Sequence, residues 1–76
     1  MTKNDIDKRI TTDPDIMVGK PIIRGMRITV EHILRSLAAG ISREEILQEY
    51  PRLEAEDIEA AILYAADLVN EEKVYK

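Results

Sequence analysis

Lys20-Pro21-Ile22-Ile23-Arg24-Gly25-Met26-Arg27-Ile28-Thr29 is the stretch on which the fold turns, because its pattern fits no ordinary amphipathic helix. Pro21 fixes its own φ and biases Lys20 towards extended backbone. Ile22 and Ile23 are β-branched and favour a strand. Arg24-Gly25 suits a tight turn, since glycine tolerates positive φ. Met26, Arg27 and Ile28 then resume an extended run. The spacing predicts a small β-hairpin over about residues 20–28. A lone two-stranded hairpin is marginal in water, so it must lie on the helices or pair with another chain.

Three helices are expected on its C-terminal side. Thr29 is a good N-cap, and Val30, Ile33, Leu34, Leu37 and Ala38 share one face of a helix over about 30–39. Gly40 is placed to end it in left-handed geometry. Ser42 and Glu45 form a capping box, flanked by Ile41 and Ile46 at staple spacing, and start a helix over about 43–50. Pro51 stops it. The third helix, about 55–70, begins after Glu54, a poor N-cap. Its apolar stripe is Ile58, Ala61, Ile62, Ala65, Leu68 and Val69, and Leu63 and Tyr64 widen it beyond what one face needs. Residues 71–76 read as a charged tail.

On the N-terminal side, Asp13-Pro14-Asp15 signals a turn. Residues 1–9 read as a flexible polar arm. The result is a single domain over 10–70 of mainly α class: a three-helix, helix-turn-helix-like core with an N-terminal extended arm or small β-hairpin. The same spacing fits any small three-helix bundle.

The 76 residues allow one small core, and a core of that size gains from oligomerisation, so a homodimer is expected. There is no cysteine, hence no disulfide and no thiolate metal site. No apolar run approaches the ~20 residues that span a bilayer, and the first residues match no signal peptide. A cytoplasmic protein with no membrane partner is expected. The net charge of −4 is uneven. Six bases and four acids leave +2 over Met1–Val30, whereas five bases and eleven acids leave −6 over the rest. A weakly basic arm on an acidic body is a poor match for a strong nucleic-acid binder.

No residue set makes a catalytic site. His32 is the sole histidine and has no converging partner, so it reads as an exposed or half-buried helix residue. Gly19-Lys20 matches the end of a phosphate loop, but Pro14 and Pro21 occupy the positions that need Gly and Ser or Thr. Asp13 and Asp15 open like a calcium loop, but Met17 stands where a third oxygen ligand is required. Glu54, Glu56, Asp57 and Glu59 cluster at a helix start, where carboxylates are favoured, and read as a solvated face. No cofactor, metal or small-molecule ligand is expected, and no enzyme. For DNA, the four carboxylates would repel phosphate if the third helix entered the groove. Lys8, Arg9, Lys20, Arg24 and Arg27 are the candidate DNA contacts, with a solvated arm as the alternative role.

From Ile10 to Leu68 the chain resembles the bacterial domain-of-unknown-function 433 family. The marks are Asp13-Pro14, Gly19-Lys20-Pro21, Ile23-Arg24-Gly25, Arg27-Ile28, Leu37-Ala38-Ala39-Gly40, Glu45-Ile46-Leu47, Tyr50-Pro51, Leu53 and Asp57. Met26 and Glu54 depart from the threonine and the Ser or Thr cap usual there. The resemblance implies a trihelical, homeodomain-like core with an extended N-terminal segment. It also implies the antitoxin half of a toxin–antitoxin pair, beside a PIN-like nuclease. In that role Arg24 or Arg27 at the hairpin, or Lys73 or Lys76 in the tail, would enter the nuclease's carboxylate-lined metal pocket, with Leu63 and Tyr64 as the apolar anchor. The alternative is a homodimeric DNA-binding autorepressor.

Overall fold

The computed structural model describes residues 1–70. The first of them do not form the flexible polar arm expected over 1–9. Thr2 Oγ1 accepts the Asp5 N–H at 3.2 Å, and Asp5 Oδ2 accepts the Thr2 N–H at 3.0 Å. This capping box starts helix α1 (Lys3–Arg9). Ile6, the one apolar side chain in the helix, is buried and anchors it. The charges that make the segment look like an arm are its solvent face.

Strand β1 (Ile10–Thr11) follows at once and pairs antiparallel with β2 (Ile22–Ile23), Ile10 opposite Ile23 and Thr11 opposite Ile22. The connection holds the expected turn: Ile16 N–H donates to Asp13 O and Asp15 N–H to Asp13 Oδ1, both at 2.9 Å. A short 3-10 turn, Met17–Gly19, leads back to β2.

The expected hairpin is present on the other edge of β2. Met26 N–H closes the turn on Ile23 O at 2.7 Å, with Arg24 and Gly25 both at positive φ, as a type I′ turn requires. Ile23 N–H donates to Ile28 O, and Val30 N–H to Pro21 O, both at 3.0 Å. β2 is thus bonded on both sides within its own chain. The hairpin's need for a partner is met by β1, not by a second subunit. Ile22 and Ile23 are fully buried as a result.

Thr29 caps helix α2 (Val30–Ala38), its Oγ1 accepting the His32 N–H at 2.9 Å. The helix ends in a Schellman motif: Gly40 N–H donates to Leu37 O and Ile41 N–H to Ser36 O. Ser42 and Glu45 form the predicted box on helix α3 (Arg43–Glu49). Helix α4 (Ala55–Asn70) completes the body. α2 packs on α3 and α4, α3 on α4, and α1 with β1 on the other flank of α4. Ile23, Ile33 and Ile58, all fully buried, stand at the centre of the core with Met26, Ile46 and Leu53. The stripe on α4 runs out before the helix does. Ile58, Ala60 and Ala61 are buried, but Leu68 and Val69 are 53% and 67% exposed. Residues 71–76, the predicted tail, lie outside the described residues.

Candidate functional site

Asp57 occupies the third position of α4 and is fully buried. A buried carboxylate needs its lone pairs filled, and all are. Oδ1 accepts from Arg9 Nη1 at 2.9 Å and Arg24 Nε at 3.0 Å. Oδ2 accepts from Arg24 Nη2 and from the Glu54 N–H, both at 2.8 Å. The last bond satisfies a backbone donor at the helix start, so Asp57 does the capping that Glu54 cannot. Arg9 Nη1 also reaches Glu54 Oε1 at 2.7 Å, and Arg24 Nη2 donates to Arg52 O at 2.9 Å.

Burial pushes the Asp57 carboxyl up, but the hydrogen bonds from Arg24, the Glu54 N–H and Arg9 outweigh it and hold the group below the ordinary carboxylate range. Glu54 and Asp57 raise the Arg9 guanidinium, and Asp57 raises that of Arg24. With no lone pair to spare, this cluster is a clasp joining α1, the β2 turn and α4. It has no vacancy for proton transfer. It corrects the reading of the helix-start acids as a solvated face: Glu54, Glu56 and Glu59 are exposed, but Asp57 is not.

The clasp also redistributes the five candidate DNA contacts. Arg9 and Arg24 are committed to Asp57. Lys20 pairs with Glu31 at 3.2 Å, an exposed pair of small worth. Lys8 and Arg27 are exposed and have no ion-pair partner among the described residues. The two hairpin arginines, grouped together in the sequence, therefore have opposite roles. Lys73 and Lys76 lie outside the described residues.

Tyr64 lines a groove of about 370 Å³ between α2 and α4, with Pro21, Val30, Leu34, Ala65 and Leu68, and with Glu31 and Arg35 also on its walls. Leu63 and Tyr64 are both half-buried and both pack against the core, but Leu63 does not line this groove. His32, exposed as expected, sets Nε2 3.1 Å from the Tyr50 hydroxyl, the rings edge to face at 6.0 Å. Sequence reasoning missed the role of Asp57. The available signal was its spacing, three residues after Glu54, which is where a side chain reaches back to a helix start.

The family described as "Protein of unknown function (DUF433)" matches residues 10–65. The chain belongs to that family. This DUF433 domain is 45% identical over 56 residues to the uncharacterized protein y4eO of Sinorhizobium fredii, a match spanning 74% of this chain and 25% of that protein. The chain thus spans a quarter of the length of that relative. A crystal structure of a DUF433 member from Anabaena variabilis superposes with a TM-score of 0.78 at 29% identity, over 90% of this chain and 67% of that one. Among the described residues no helix is long and apolar enough to cross a membrane.

Proposed function

We propose that this DUF433 domain is a non-enzymatic binding protein, the antitoxin of a toxin–antitoxin pair, which binds and inhibits a PIN-like nuclease. The observation that carries the reading is the apolar groove between α2 and α4, which is open among the described residues. An apolar groove with charged residues on its walls is the form that partner-docking surfaces take. Tyr64 is its aromatic anchor, and the exposed Leu68 and Val69 continue the surface along α4. Of the hairpin arginines, Arg27 is the one without an ion-pair partner among the described residues, and it would enter a carboxylate-lined metal pocket, where its planar fork competes with the cation. Co-expression with the adjacent open reading frame, followed by size exclusion and a nuclease assay, tests this. A stable complex without nuclease activity is expected. Separate elution with full activity would overturn it.

A homodimeric DNA-binding autorepressor is the second reading, favoured by the order α2, short turn, α3, α4. Exposed Glu54, Glu56 and Glu59 face the phosphates if α4 enters a groove, so contact would fall to Lys8 and Arg27. Operator binding should then weaken steeply with salt and be lost in R27A.

A further inference from the structure

Arg27 and Arg52 line one cavity of about 220 Å³. Among the described residues neither guanidinium has an ion-pair partner. Lys8 and Arg43 share that condition, but neither lines this cavity. Met26, Ile28, Tyr50 and Pro51 supply its apolar surface, and Glu49 is its one acid, so the lining carries a net +1.

The walls are held before anything binds. Met26 is 7% exposed and closes the β2 turn. Ile28 O is bonded to the Ile23 N–H. Tyr50 is fixed at three points: its N–H donates to Ile46 O, its carbonyl accepts from Leu53 N–H, and its hydroxyl meets His32. Arg52 O is bonded to Arg24, which is itself clamped on Asp57. Both free guanidiniums therefore stand on anchored backbone, which lowers the ordering cost of binding.

We propose that the Arg27–Arg52 cavity is a binding site for a small oxyanion, a carboxylate or phosphate monoester, borne on a compact apolar group. A guanidinium fork matches such an oxyanion with two parallel donors, and the Met26–Tyr50 surface takes the apolar body. The volume is below the roughly 300–1,000 Å³ of drug-sized sites, so a whole nucleotide is too large. Glu49 on the cavity wall disfavours a polyanion. The oxyanion can come from a free organic acid or from the acidic side chain of a docked protein segment. The site shares Arg27 with the antitoxin reading but not the α2/α4 groove that carries that reading, so either can fail without the other.

Titration of the full 76-residue chain, 15N-labelled, with phenyl phosphate and separately with the blocked tripeptide Leu-Glu-Leu tests it by NMR. Saturable shifts are expected at the Arg27 and Arg52 Nε–H groups and at the Tyr50 amide. They should need about tenfold more probe, or more, in the R27Q/R52Q double variant, and the same amount in R43Q. Neither replaced side chain holds the fold, so the double variant should keep the wild-type spectrum elsewhere. Saturation by phenyl phosphate assigns a free acid, and saturation by the tripeptide alone assigns a partner's side chain. No saturable shift with either probe, or equal shifts in the double variant, would overturn the proposal.

Discussion

Arg24 holds both carboxylate oxygens of Asp57, Nε to Oδ1 at 3.0 Å and Nη2 to Oδ2 at 2.8 Å, across 33 positions of sequence. The two residues are among the marks that carry the family resemblance, and here they meet. Arg9 joins them from the end of α1, so one buried anion ties three separate pieces of chain together.

Asp57→Asn removes the charge while keeping the shape. Arg9 and Arg24 then lose their shared anion, and the amide cannot accept four hydrogen bonds. Their side chains are 25% and 34% exposed, so water recovers part of the loss. A fall of about 3 kcal/mol in unfolding free energy is expected, the low end for breaking a buried pair. Urea unfolding followed by circular dichroism measures it.

Acid sensitivity should follow from the same carboxylate. Folded Asp57 binds its proton more weakly than the unfolded chain, whose value is near 3.8. Its stabilisation is complete above that value and is lost as pH falls from there through the depressed folded value. Between about pH 5 and about pH 2.5 the urea midpoint should drop more in wild type than in D57N. Parallel drops would show that Asp57 is not the group responsible.

Arg24 and Arg27 separate structural from surface roles. Arg24→Gln should cost about 2 kcal/mol, since it strips three charge-assisted hydrogen bonds from Asp57 and Arg52. Arg27→Gln should stay within about 0.5 kcal/mol, as a surface change does. Thermal unfolding of the two variants side by side gives the comparison.

Val18 sits at φ 58 and is 89% exposed. A β-branched residue in the left-handed region is strained, by about 1–2 kcal/mol, with no burial to offset it. Asn tolerates that conformation. Val18→Asn should add about 1 kcal/mol and raise Tm by about 4–8 °C. A calorimetric scan showing no rise would mean the strain is relieved in solution.

The helices were legible in the sequence because each carried its own punctuation. Thr29, Gly40, Ser42 with Glu45, and Pro51 fix their ends through bonds made within a few residues. α1 was equally local, in the Thr2–Asp5 box, but its charges masked the single buried Ile6. The turn at Arg24-Gly25 was readable from glycine chemistry. Its pairing with β1 was not, since nothing in Ile10–Thr11 names Ile22–Ile23 as its partner at that separation. The clasp was hidden for the same reason. Four acids at a helix start look alike in sequence, and only the packing of α1 and the β2 turn against α4 distinguishes Asp57 from its neighbours. The groove announced itself as surplus apolar surface on α4, while the choice of Tyr64 over Leu63 as its lining depended on where α2 lies.

The α2/α4 groove is the surface proposed to receive a protein partner. The most direct test is the Kd between this chain and the product of the adjacent open reading frame, the proposed nuclease partner, for wild type and for Tyr64→Glu, with circular dichroism confirming the fold of both. A glutamate in an apolar groove leaves a charge desolvated, so binding should weaken about a hundredfold or more while the helical signal is kept. Equal affinity of the two chains, or no binding by wild type, would rule out the groove as the docking surface.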